Sequence, residues 1–205
     1  MFATAVFGGS FDPVHLGHLH LIHTVYNSTR YKRFILVPVA TNNFKREITP
    51  TYPQDRIAML NIAIQEYKNI YPEDAGIELV VEDCEIKRGG VSYTYDTVET
   101  IYKNYEFPGK LGLVMGDDLV PNLNKWYRFS DLIKQVDLVV CRREEMEIEI
   151  PEGLDFHYVT NDILVDASSS IRLLAKENKD FSAFLSKEVY NYVKEQGLYK
   201  CRSLC

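Results

Sequence analysis

The stretch Gly8-Gly9-Ser10-Phe11-Asp12-Pro13-Val14-His15-Leu16-Gly17-His18 restricts the fold of this chain more than any other. A short apolar run, Ala3 to Phe7, precedes it, and Leu19, Leu21, Ile22 and Val25 follow at helical spacing. The stretch therefore reads as a strand-to-helix turn. Gly8 and Gly9 permit backbone angles closed to other residues and let a ligand approach the main chain. Pro13 fixes one dihedral and stiffens the loop. The helix that follows opens with unpaired N–H groups and a partial positive charge, which favour an anion. His15 and His18, three apart, share one face of its first turn. Two imidazoles above a glycine-rich loop make a phosphate clamp.

Other readings of these residues stay open at this point. Asp12, His15 and His18 form a possible zinc set, although the chain has neither an H-E-x-x-H run nor a nearby cysteine pair. An ordinary turn with incidental surface histidines is the plainest reading. Against it, four of the five histidines (His15, His18, His20 and His23) fall in this one segment.

The remaining chain continues the same pattern. Arg33 to Val39 is a continuous apolar run, as in a parallel strand buried on both faces. Gln54 to Tyr67 carries a helical apolar stripe, and Ile77 to Val81, Lys110 to Met115, Val136 to Cys141 and Phe156 to Val159 read as further strands. Cys84 to Lys87 extends or turns from the third strand, Ser92 or Thr94 caps the next helix, and a helix begins over Leu119 to Trp126. Strands alternating with helices predict a doubly wound, mostly parallel α/β sheet. The 205 residues suit one domain, with a core over about 1–165 and a small helical subdomain over about 166–205. In such sheets ligands lie beyond the carboxyl ends of the strands. Lys45, Gly116, Asp118 and Arg143 all fall at such ends, and Ser168-Ser169-Ser170-Ile171-Arg172 is a serine-led helix start with an arginine one turn in. Trp126, the only tryptophan, with Tyr127 beside it, fits either a stacking surface or the core.

Composition narrows the partners. A formal charge of −6 argues against a nucleic-acid polymer but not against nucleotides. No apolar run approaches a membrane span, and the N-terminus lacks the basic-then-apolar pattern of a secretory leader. Cys84, Cys141, Cys201 and Cys205 form no C-x-x-C pair, which fits a reducing compartment and a cytoplasmic protein.

The opening stretch resembles G-x-F-x-P-x-H-x-G-H, the signature of the nucleotidyltransferase superfamily. Ser168 to Arg172 resembles its second signature, I-S-S-T-x-I-R, with Asp166, Ala167 and Ser169 standing where Ile, Ser and Thr are usual. Arg88 to Thr97 resembles the R-x-G-x-S-Y-T-x-D-T segment of the bacterial nicotinate-nucleotide adenylyltransferases. Gly116-Asp117-Asp118 with Trp126-Tyr127 resembles their G-x-D…W-Y segment. Their usual P-P-H-K loop is represented here by Thr41-Asn42-Asn43-Phe44-Lys45, of which only the lysine matches.

The resemblance implies a Rossmann-like nucleotidyltransferase fold and transfer of the adenylyl group of ATP to nicotinate mononucleotide, with Mg2+ accompanying ATP. It implies His15, His18 and Arg172 as catalytic groups. Gly8, Gly9, Ser10, Phe11, Gly116, Asp118, Ser168 and Ser169 would complete the ATP site, and Lys45, Thr94, Trp126, Tyr127 and Arg143 would hold the acceptor. No metal ligand in the protein is expected, and a homo-oligomer is allowed. The alternatives are transfer to nicotinamide mononucleotide, phosphopantetheine or another phosphate-bearing acceptor, and a nucleotide-binding protein without catalysis.

Overall fold

A computed structural model describes residues 1–40, 51–142, 154–160 and 168–200. In chain order the elements are β1 (Thr4–Gly9), α1 (Leu16–Ser28), β2 (Arg33–Pro38), α2 (Pro53–Ile70), β3 (Glu78–Val81), α3 (Cys84–Arg88) and α4 (Thr94–Asn104). Then come β4 (Leu111–Gly116), a 3-10 helix (Asp117–Lys125), α5 (Phe129–Gln135), β5 (Val136–Cys141), β6 (Phe156–Val159), α6 (Ser168–Lys176), a 3-10 turn (Ser182–Phe184) and α7 (Lys187–Glu195).

The six strands form one sheet in the order β3-β2-β1-β4-β5-β6, and every pairing is parallel. The continuous apolar runs are the cause: successive side chains point to opposite faces, and both faces are covered. Ala5, Phe7, Phe34 and Leu36 share one apolar cluster with residues of α1, α2, α6 and α7. Val6, Ile35, Val37 and Leu113 share the other with residues of α4, the 3-10 helix and α5. From β1 the chain winds outward to β3, then returns to β4 and winds the other way. The carboxyl ends of β1 and β4, neighbours at the centre of the sheet, therefore border the crevice where winding reverses.

Several local expectations change. β1 runs on to Gly9, paired with Pro38, instead of stopping at Phe7. Cys84 to Arg88 does not extend β3 but winds as the short helix α3. Neither Ser92 nor Thr94 caps α4: Tyr93 holds the N-cap position with no side-chain cap, while the Ser92 hydroxyl accepts the Ala40 N–H at 3.2 Å. Residues after Gly116 form a 3-10 helix because Pro121 lies inside the segment and removes a donor that an α-helix needs. Among the described residues no helix is long and apolar enough to cross a membrane.

Candidate active site

The turn after β1 is built from below. Gly9 is close over the Phe11 ring, where an added Cβ would come within 3.0 Å. Phe11 takes φ 46°, in the left-handed region, and is buried against Phe7 (ring centroids 5.5 Å) and His18 (5.0 Å). Its ring belongs to the core, so what the turn presents to a ligand at this position is main chain. Gly8 has open space where a Cβ would stand. His15 occupies the N-cap of α1, and its main-chain N–H donates to Nδ1 of His18 at 3.2 Å. That bond leaves the neutral His18 ring with its proton on Nε2. The two imidazole centroids lie 3.7 Å apart.

The serine-led helix meets this turn directly. The Ser168 hydroxyl donates to the Pro13 carbonyl at 3.0 Å, and Arg172 Nη1 donates to the Asp12 carbonyl at 2.6 Å. Two motifs about 150 residues apart in sequence thus close on one turn. The Asp12 carboxylate is buried and takes the Thr51 N–H at 3.1 Å and the Tyr199 hydroxyl at 2.8 Å. With both oxygens engaged by protein donors, Asp12 serves the shape of the turn. Among the described residues no group of three or more His, Cys, Asp or Glu side chains is arranged to hold a metal ion. The zinc set of Asp12, His15 and His18 finds no support in that arrangement.

Arg56, on α2, is a site residue the sequence reading passes over. Its guanidinium is fully buried, with Nη1 donating to the carbonyls of Ser10 (2.9 Å) and Val39 (2.8 Å), and Nε to that of Thr51 (3.2 Å). It ties the exit of β1 to the exit of β2 and to the entry of α2. Burial pulls its pKa down from the ordinary value, and Asp12 is the main opposing influence. A signal was present: Arg56 stands in register with Met59, Leu60, Ala63 and Tyr67, the buried stripe of its helix.

Across the crevice, Gly116 ends β4 and is buried, Asp118 is exposed, and Asp117 is fully buried with the Tyr158 hydroxyl at 3.3 Å. Trp126 is half-buried against the second core cluster, and its indole Nε1 is buried without a protein acceptor. Tyr127 is half exposed, with the Tyr93 ring 4.7 Å from its own. This contact joins the Trp126-Tyr127 segment to the start of α4, where Thr94 lies. Ser169 is exposed at the start of α6. The structure therefore brings Ser10, Phe11, His15, His18, Ser168 and Arg172 together around one turn, with Gly8 and Gly9 at the end of the strand that leads into it. Gly116 ends β4 and Asp118 follows it, while Thr94 opens α4, and Trp126 and Tyr127 follow the 3-10 helix and meet the start of α4 through Tyr93. Lys45 and Arg143 lie outside the described residues, as do Asp166, Ala167, Cys201 and Cys205.

A parallel sheet covered by helices on both faces, with the glycine-rich turn and the serine-led helix meeting at its winding reversal, is the architecture of a nucleotide-binding class of protein, and comparison gives that class its name. The chain belongs to the cytidylyltransferase-like family, whose model matches residues 6–184. Its curated relatives are narrower. The "Probable nicotinate-nucleotide adenylyltransferase" of Treponema pallidum is 32% identical over 209 residues, covering 96% of this chain and 98% of the relative. The protein of the same name from Opitutus terrae is 34% identical over 198 residues, covering 94% and 95%. Among solved structures, Plasmodium falciparum nicotinic acid mononucleotide adenylyltransferase complexed with NaAD superposes with a TM-score of 0.76. It shares 19% identity over 97% of this chain and 98% of that one, a likeness of fold.

Proposed function

We propose that this chain is an adenylyltransferase that joins ATP and nicotinate mononucleotide into deamido-NAD, releasing pyrophosphate. One observation carries the reading: Arg172 and Ser168 hydrogen-bond the same turn that presents His15 and His18. Donors far apart in sequence thus meet at one turn, which supports a shared polyphosphate site.

The chemistry asks little else of the protein. The acceptor's phosphate, whose second pKa is about 6, arrives largely ionised near neutral pH. One of its oxygens attacks the α-phosphorus of ATP in line, the bond to the β-phosphate oxygen breaks, and pyrophosphate leaves with that electron pair. Neither a general base nor a covalent nucleophile is needed, so catalysis is positioning and charge stabilisation. His18, protonated at Nε2, donates to the transferring phosphoryl group, with His15 beside it. Arg172, Ser168 and Ser169 hold the β- and γ-phosphates at the start of α6. Gly8, Gly9, Ser10 and the main chain of Phe11 leave room for the nucleotide, and Gly116 and Asp118 approach its sugar. Mg2+ bound by ATP oxygens and water would neutralise the polyphosphate charge. The donor set of imidazole, guanidinium and hydroxyl suits a metal that enters on its nucleotide.

For the acceptor, Trp126 stacks on the pyridine ring, and main-chain N–H groups at Thr94 and Tyr127 receive its carboxylate. Such donors disfavour an amide, whose NH₂ meets them with the wrong polarity. Lys45 and Arg143 assist the acceptor phosphate. The reading keeps the chain as a single nucleotidyltransferase domain in the cytoplasm, supported by its cysteine usage and buried free Cys84 and Cys141. It leaves room for a homo-oligomer. An acceptor panel with ATP and Mg2+, read by product mass, tests it. Deamido-NAD from nicotinate mononucleotide is the expected product. Preferential turnover of phosphopantetheine, or equal kcat/KM for the amide nucleotide, would refute the assignment of the acceptor.

A further inference from the structure

Tyr199 belongs to none of the sequence motifs of this chain. After α7 the chain turns back on itself: Gly197 (φ 61°) and Tyr199 (φ 63°) both take the left-handed conformation, and the Leu198 N–H closes on the Val193 carbonyl at 3.0 Å. Glycine does this freely. A tyrosine there is strained and persists only where its surroundings dictate it.

What holds Tyr199 is the phosphate turn. Its hydroxyl donates to Asp12 Oδ1 at 2.8 Å, with the Met59 sulfur 4.0 Å away. Burial, then the Asp12 charge, pushes the phenol well above its ordinary pKa, while a hydrogen bond with Thr51 and then the Arg172 charge pull it the other way. Tyr199 is therefore a donor throughout the working pH range, close enough to Arg172 to feel its charge. Asp12 is only 3% exposed. Its second carboxylate oxygen takes the Thr51 N–H, and its carbonyl takes Arg172 Nη1 at 2.6 Å. A single residue of the turn thus carries three tethers, one of them ending on the guanidinium that faces the polyphosphate.

We propose that Tyr199 is a positioning residue for the triphosphate grip: by filling Asp12 Oδ1 it fixes the carbonyl that orients Arg172 against His15 and His18. This rests on the ATP reading of the site given above. Removing the hydroxyl leaves a buried carboxylate oxygen without its donor. Asp12 then repacks, and the carbonyl on which Arg172 leans moves with it.

Tyr199→Phe keeps the ring and removes only the donor. With each variant assayed well below its own melting midpoint, kcat should fall by about 10- to 100-fold, the scale of a small misplacement at a reacting centre, with the acceptor KM unchanged. In an Arg172→Ala background the same substitution should remove less than about two-fold more, because the two residues act through one contact. An equal loss in both backgrounds, or full activity of Tyr199→Phe, would overturn the proposal. The wild-type protein supplies a second reading that holds even if the variant does not fold. A non-hydrolysable ATP analogue should slow amide exchange at Leu198 to Lys200, since coupling between two sites is reciprocal. Unchanged exchange under saturating analogue would also overturn it. Protection of those amides in a chain that makes no dinucleotide would refute adenylyl transfer while leaving the role of Tyr199 standing.

Discussion

The His15 N–H occupies Nδ1 of His18, which leaves Nε2 as the donating nitrogen of that ring. His18→Ala removes the donor, and the ring contacts of His18 with the core are those to Phe7 and Phe11. Turnover should fall by about 100- to 1,000-fold, the usual cost of a lost transition-state donor, with the melting midpoint little changed; near-normal kcat would remove His18 from the mechanism. Trp126→Ala should instead raise the acceptor KM by about 10- to 100-fold, as expected for a stacking contact of about 1–3 kcal/mol, and leave the KM for ATP alone. The pair of histidines was legible in the sequence because spacing puts both on one face of a helix start, whereas Trp126 stayed open between stacking and core and only the family resemblance pointed to the acceptor. Spacing does not say which way a side chain points. Phe11 sits between Ser10 and Asp12 in the turn, and only the left-handed backbone there sends its ring down into the core. Of the two adjacent acids, Asp117 turned out to be the buried one and Asp118 the exposed one, a distinction set by the 3-10 geometry after β4.

At the level of elements, α2 matters for the site through Arg56, although it contributes nothing that would touch a substrate. A lysine is a compact charge on a flexible stem and cannot fork across three carbonyls from three segments. Arg56→Lys should therefore destabilise the protein by about 1–3 kcal/mol, read as a lower urea midpoint, because buried carbonyls lose their donors. It should also lower kcat, since Ser10 lies in the turn proposed to hold phosphate; a variant with wild-type midpoint and rate would show the clamp to be dispensable. The strands and the main helices were legible from apolar runs and helical stripes, the strongest signals a single sequence holds. The shorter elements were not. α3 spans five residues and has too few turns to show a period, and the segment after Gly116 has the composition of a helix but contains Pro121. The role of Ser92 was hidden for another reason: its partner, the Ala40 N–H, lies 52 residues away, and no local rule links them.

For the molecule as a whole, alkaline pH should expose how many weak acids the fold keeps neutral. Burial pushes Cys84 up to about 11 and Cys141 up to about 12, each from 9.0. It also raises Tyr105 from 10.0 to about 12, with Glu82 adding to the effect. In the unfolded chain these groups lose their protons at their ordinary values, so the unfolded state is favoured as pH rises. Their stabilisation is complete below pH 9 and is lost progressively towards pH 12. Melting midpoints should hold level to about pH 9 and decline above it, with both thiols unreactive to a thiol reagent until the protein unfolds; a midpoint that rises between pH 9 and 11 would contradict this. The contacts of Pro13, Asp12 and Tyr199 have a further consequence for how such a molecule comes into being. They span 155, 160 and 187 residues, so the turn proposed to grip phosphate gains its arginine and its tyrosine only when α6 and the segment after α7 have docked. Until those segments dock, a nascent chain that already carries both histidines lacks the proposed grip on ATP, so competence comes with long-range docking and not with local folding of the turn.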